Sequence, residues 1–285
     1  MKPNVCGGVP GKLGSSTNPR ILSSLIQRLL EIGAKVSVGE ADSCMCTAEA
    51  MLSETGIREM AVREGAEVIN LSEGDMVNVA VPEGYVLRNP LVGKVVANAD
   101  AIITMPVMKT HVCTGVTLGM KSLFGVLPER KKSRYHPRLD HVIVDVASAL
   151  RPRLSIIDGT TGMEGEGPFK GDPVELGLII AGNNVVSTDA CAAAVMGFDP
   201  SSIDHLKLAS ERGLGTISLD EIEIKDEPIE AVIRPFRRAT PERKERILSR
   251  LSEDLGYAAI HRNYEGAVRS WRKDWQSRQN GDFKA

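Results

Sequence analysis

Short β-branched runs alternate with helical stripes from Pro19 to Ile224, and this alternation restricts the fold more than any other feature of the chain. Ile21, Leu22, Leu25, Ile26, Leu29 and Leu30 keep the i, i+3, i+4, i+7 spacing of a helix packed on a sheet. Thr17-Asn18-Pro19 opens that helix and Gly33 closes it. Residues 35–39 then read as a strand, 47–54 and 56–64 as two short helices, and 67–71 as the next strand. Polar alternation over 75–87 predicts a small β excursion at the sheet edge, and 89–97 a helix. Strands follow at 101–105, 154–158 and 177–181, with helices at 139–150 and 187–196, the latter opened by Ser187-Thr188-Asp189, and another from Asp199-Pro200 that carries His205. Strands separated by helices pair in parallel, through crossovers. The expected fold over residues 1–225 is α/β, a mainly parallel sheet with helices on both faces.

Residues 226–285 leave that pattern. From Arg234 to Ala285 there are 13 Lys+Arg against 7 Asp+Glu, whereas the whole chain has a net charge of −2. Two helices are expected there, over 241–255 and 258–276, with Trp271 and Trp275 on one face at i, i+4. This basic helical C-terminal extension is read as docking on the acidic main domain or on a second copy, which makes a homodimer through these helices the expected assembly. A net charge of −2 gives no global argument for nucleic acid. No apolar run approaches 18 residues, so no membrane span is expected. The start of the sequence lacks the layout of a signal peptide, and the expected location is the cytoplasm. Cys6, Cys44, Cys46, Cys113 and Cys191 are odd in number and contain no CxxC pair. Neither a disulfide framework nor a self-contained four-cysteine metal site follows from them.

The chemistry concentrates after the run Ala101-Ile102-Ile103-Thr104-Met105, which Pro106 interrupts. Lys109, Thr110 and His111 come next, then Lys121 in a glycine-punctuated stretch, then His136, in a chain with only five histidines. A second candidate ligand loop, 158–168, follows the strand at 154–158 and carries Asp158, Gly162, Glu164, Gly165 and Glu166. Ligands of open α/β sheets sit outside the carboxyl ends of the strands. Parallel strands deliver their following loops to one edge, so Lys109, His111, Lys121 and His136 should meet the 158–168 loop in one pocket. Lys2 joins them if the N-terminal glycine-rich loop occupies a strand position, although no apolar strand precedes it. Either the three acids or a bound anion would then answer the cations. Glu40 and Asp42, past the strand at 35–39, fit either a metal or ligand hydroxyl or a solvated loop. Crowded, desolvated lysines lose pKa and become usable nucleophiles or bases, and a neutral imidazole serves as metal ligand or proton carrier.

Lys2-Pro3-Asn4, Thr17-Asn18-Pro19, Lys109-Thr110-His111, the glycines from Gly115 to Gly125, His136, and Asp158-Gly159 with the 162–168 stretch occur together and in order. Over about residues 1–225 the chain resembles the family catalogued as "domain of unknown function 362". That family is found mainly in bacteria and archaea, often anaerobes, and many members add a ferredoxin-like four-cysteine segment, which these 285 residues lack. The resemblance implies a ligand-binding set of Lys2, Asn4, Lys109, Thr110, Asp158, Gly162, Glu164, Gly165 and Glu166. More distantly, the order of strand, His, glycine-rich stretch, Lys and His is similar to the N-terminal domain of nickel-pincer lactate racemases. There, a lysine ten residues after a histidine carries the nickel cofactor. By position Lys121 matches that lysine, His111 a proton-transferring histidine and His136 a metal-side histidine, so that His111 and His136 are the metal candidates. The implied cofactor is a metal ion or metallo-cofactor, either nickel pincer-like or an iron–sulfur cluster supplied in trans. The expected function is an enzyme acting on a small anionic molecule by racemase-like, isomerase-like or redox chemistry. The alternative is a non-catalytic metal- or cofactor-binding carrier working with a redox partner.

Overall fold

The computed structural model describes residues 1–6, 14–44, 46–240 and 242. The chain enters the sheet at once: β1 (Lys2–Pro3) lies parallel to the strand that starts at Ile103, with Lys2 opposite Thr104. Lys2 therefore does follow the strand edge, through a strand of two residues that carries no apolar run to announce it. Helix α1 (Pro19–Glu31) is capped by Asn18, whose side chain accepts the Arg20 N–H, and buries Leu22 and Ile26 completely. Each such side chain contributes about 1.5–3 kcal/mol on removal from water. Then come β2 (Ser37–Glu40), α2 (Ala48–Glu54), α3 (Ile57–Arg63) and β3 (Glu67–Asn70), β2 and β3 pairing in parallel. This pair forms its own ladder, joined to the chain start where Met1 bonds the Ser37 carbonyl and the Gly39 N–H.

The β excursion forms as β4 (Met76–Asn78) and β5 (Leu91–Gly93), an antiparallel pair. The helix expected over 89–97 shrinks to α4 (Lys94–Ala97), because Leu91 and Val92 are buried as strand residues against β4. Pro106 likewise does not end the central strand. It has no N–H for the ladder, yet its carbonyl accepts the Asp158 N–H and the pairing keeps its register across it, so that β6 (Ile103–Met105) and β7 (Val107–His111) run in line; the shift comes only between Val107 and Lys109. Strand β8 (Gly115–Thr117) returns antiparallel to β7, and α5 (Gly119–Leu123) and α6 (Leu139–Leu150) follow.

The segment expected to leave the sheet at Asp158 stays in it, since β9 runs from Leu154 to Glu164. Its first residues pair with β6 and its later ones with β7, both in parallel. The glycines lie within the strand because neighbouring backbone approaches closely: a Cβ on Gly162 would stand 2.6 Å from the Met108 carbonyl oxygen. Strand β10 (Asp172–Gly182) is antiparallel to β9, and α7 (Val185–Val195) follows it. The α7 cap is Asn184, not the Ser187-Thr188-Asp189 run. Helix α8 (Asp204–Glu211) buries His205, whose Nδ1 lies 3.1 Å from Asp140 Oδ1.

Alternate strand residues face two cores. Met105 and Ile156 pack with α1–α3, and Ile157 with α5–α8, so helices cover both faces. The α/β fold with a mainly parallel sheet stands, with β8 and β10 as antiparallel additions. Past residue 225, α9 (Ile229–Val232) and the segment behind it pack on this second core: Ile229 and Phe236 are buried, and the Arg234 and Phe236 N–H groups bond the Val195 and Met196 carbonyls. The helices expected over 241–255 and 258–276, Trp271, Trp275 and the dimer contact lie outside the described residues. Among the described residues, no helix is long and apolar enough to cross a membrane.

Candidate functional site

Strand β7 places Lys109, Thr110 and His111 in succession, all buried. Lys109 and His111 fall on one side of the strand and Thr110 on the other. Lys109 Nζ donates to the Ser15 carbonyl at 2.7 Å and to Cys6 Sγ at 3.1 Å. Thr110 Oγ1 donates to the Gly165 carbonyl at 2.8 Å, tying β7 to the end of β9. The His111 ring turns back into its own hairpin. Its Nδ1 accepts the main-chain N–H groups of Cys113 and Thr114 at 3.1 and 3.3 Å, which puts the ring proton on Nε2.

Helix α5 carries Lys121 and is held from behind. The Asp189 carboxylate, on α7, accepts the Gly119 and Met120 N–H groups at 2.7 and 2.8 Å. The contact is close enough to require glycine: a Cβ at residue 119 would lie 2.6 Å from Ser155 Oγ and 2.8 Å from Val185 Cγ2. Burial pushes the Asp189 carboxyl up to about 7, against the pull of those two N–H groups.

Electrostatics joins these elements into one site. Burial, then the neighbouring Lys109 charge, pulls the Lys121 ammonium down to about 8, and Lys2, Cys6 and Cys113 also act on it. Burial, followed by the charges of Lys121, His136 and Lys109, holds His111 well below the ordinary imidazole range. His136 is lowered by burial and by Lys121. Its Nδ1 stands 3.0 Å from the Ser133 carbonyl and must donate to it, which leaves Nε2 with its lone pair. Lys109, Lys2, His111 and His136 thus all lie within electrostatic reach of Lys121. Lys121 has no hydrogen-bond or ion-pair partner among the described residues. Asn4, beside Lys2, has a buried Oδ1 that is likewise unpartnered there.

The acids sit elsewhere than expected. Asp158 accepts the Asn18 N–H at 2.7 Å and both the N–H and hydroxyl of Thr160. Glu164 accepts the Arg237 N–H and Glu166 the Thr240 N–H, each at 2.9 Å. Gly165, at φ +76°, lies beneath the Arg237 guanidinium. Asp158 and Glu164, with Gly162 and Gly165, bind the strand end to residues 18 and 237, and Glu166 reaches residue 240. The nearest anion is Glu40, whose Oε2 pairs with Lys2 Nζ at 2.8 Å with both side chains nearly inaccessible. Lys132 adds a half-buried cation, its Nζ donating to the Asp42 carbonyl at 2.5 Å; desolvation lowers its pKa, and Glu129, Glu40 and Asp42 oppose that.

Glu40 was legible only as one of two acids past a strand, and Asp189 only as part of a helix-opening triplet. Nothing local in sequence links Asp189 to a residue 70 positions upstream. Among the described residues, no group of three or more His, Cys, Asp or Glu side chains could hold a metal ion. His111 in its observed tautomer offers a proton and not a lone pair, whereas His136 Nε2 is free to ligate.

Residues 1–194 match the model of the family described as "Domain of unknown function (DUF362)". The chain is also similar to a thylakoid-associated protein of Synechocystis sp., at 26% identity over 241 residues, covering 82% of this chain and 73% of the relative. The family match spans well over half of the chain and includes β1, β7, α5 and β9, so the protein belongs to that family.

Proposed function

We propose that this protein is an enzyme that binds a small organic anion between Lys121, His111 and His136 and moves a proton on it. One observation carries this reading: two imidazoles of opposite tautomer lie within electrostatic reach of one ammonium that has no partner among the described residues. His111 presents Nε2–H, a donor, and His136 presents the Nε2 lone pair, an acceptor. Lys121 supplies the charge that holds a carboxylate, and its lowered pKa keeps that charge only below about pH 8. A carboxylate held on Lys121 and the His111 Nε2–H would leave His136 to take the proton from the adjacent carbon. Return of a proton to the opposite face would give isomerisation.

A bare metal ion does not suit these residues. A metallo-cofactor tethered to the Lys121 amine would find one nitrogen ligand in His136 and would supply redox chemistry at the substrate carbon; an iron–sulfur cluster would have to come in trans. The described cysteines are all free thiols, which supports assignment to the reducing cytoplasm; thylakoid association is a property of the Synechocystis relative. The test is incubation with 2-hydroxy, 2-oxo and 2-amino carboxylates in D2O, followed by proton NMR. Deuterium should enter next to the carboxylate, and His136→Gln should stop exchange while binding persists. Binding without exchange for every acid would leave a carrier and overturn the enzyme reading.

A further inference from the structure

Across β9 from the strand that carries Lys109, β10 leaves an edge uncovered. Among the described residues, no main-chain hydrogen bond reaches it from the side opposite β9. The first half of the strand is guarded: Pro173 has no N–H, pairing slips between Glu175 and Leu178, and Gly177 has φ +70°. Natural edges are blunted by such devices. From Leu178 to Gly182 there is neither a charge nor a proline, and Ile179 is half exposed.

A groove of about 700 Å³ follows this second half. One wall is the unbroken run 178–184. Side chains of one strand face would recur at every second residue, so an unbroken run means that the strand edge itself lines the groove. The opposite wall is the run 221–227, without helix beyond Glu221 and without a ladder partner among the described residues. It carries Glu221, Glu223, Asp226 and Glu227 against the single cation Lys225. Thr188, Cys191 and Val195 of α7 form the floor.

We propose that this groove receives an extended, basic segment of a partner protein, which adds to β10 as a further strand. Main-chain bonds to 178–182 would hold it. Apolar side chains would face the α7 floor, and Lys or Arg would face the acidic wall, whose three uncompensated carboxylates set the charge of the guest.

Fluorescence polarisation on the full chain, with labelled Lys-Val-Lys-Val-Lys-Val-Lys as probe, tests this. Saturable binding is expected, weakened at least about tenfold (~1.4 kcal/mol) by N-methylation of alternate residues, by exchange of every lysine for glutamate, and by the E223K/E227K double variant. Both substituted positions are exposed, so the fold should survive, which a circular dichroism melt verifies. No binding, indifference to N-methylation, or an unchanged affinity in E223K/E227K would each overturn the proposal. So would a sedimenting dimer that must dissociate before the peptide binds, because a second copy would then cover the edge.

Discussion

The inward-facing lysines fall into two regions that the fold treats in opposite ways: Lys2 and Lys109 are fully buried, and Lys121 is half-buried. At the chain start, Lys2 meets Glu40 at 2.8 Å, and Lys109 is held by the Ser15 carbonyl and Cys6. On α5, Lys121 has no hydrogen-bond or ion-pair partner among the described residues, and Lys109 and Lys2 are its cationic neighbours. The first arrangement holds elements together: β1 to β2 and β7 to the segment at Ser15. The second lowers stability, because a desolvated cation among cations is unfavourable in the folded state. A charge kept at such a cost marks a site where a ligand is expected to supply the missing anion.

The largest expected effect breaks the first region. Lys2→Met leaves Glu40 buried without its cation and should destabilise the protein by about 3–5 kcal/mol in urea unfolding. Adding Glu40→Gln should recover most of that. A loss below about 1 kcal/mol would mean that the pair is no stronger than a surface bridge, and the contrast between the regions would vanish.

Lys121→Met should do the reverse, stabilising the protein by on the order of 2 kcal/mol at pH 7 while removing anion binding. The sign follows from the direction of the shift. A folded-state pKa of about 8, below the ordinary lysine value, means that the neutral form is favoured by folding. The stability tied to this group is present above the unfolded pKa and lost as pH falls through about 8. Wild-type stability should therefore gain a component rising from pH 7 to 10 that is missing in the variant. A destabilised Lys121→Met would show that the amine is a structural strut.

A smaller effect sharpens the comparison. Gly119→Ala drives a methyl into Ser155, Val185 and Asp189 and should cost about 1–3 kcal/mol. Because Asp189 holds the start of α5, the same change should weaken anion binding more than an alanine of equal cost elsewhere. Equal binding after matched destabilisation would separate Asp189 and Gly119 from the site.

The two regions also differ in how much of them sequence can carry. The alternation of β-branched runs and amphipathic stripes expresses the parallel sheet, because side-chain period and burial are local properties. Lys109, His111, Lys121 and His136 were legible as uncommon residue types gathered after one apolar run, but the edge argument missed that Lys109 and His111 lie inside β7 and not in a loop beyond a strand end. Pairing across the fold was not legible. Pro106 looks like an end, yet the ladder with β9 keeps its register across it, from Ile103 opposite Leu154 to Val107 opposite Asp158. Asp158, Glu164 and Glu166 look like counter-charges, yet each accepts a main-chain N–H, from Asn18, Arg237 and Thr240, a partner that every residue but proline carries and sequence cannot distinguish. Leu91 and Val92 fit a helical stripe but are drawn into a strand by the neighbour at Met76–Asn78.

The account stands or falls on the Lys121 ammonium as an unanswered charge that an anion completes. Isothermal titration of lactate into the wild-type protein and Lys121→Met, from pH 6 to 10, measures this directly. Affinity should be level below about pH 8 and then fall roughly tenfold per pH unit as the amine loses its proton, with no binding in the variant. Wild-type affinity that stays level through pH 9, or binding that survives in Lys121→Met, would contradict it.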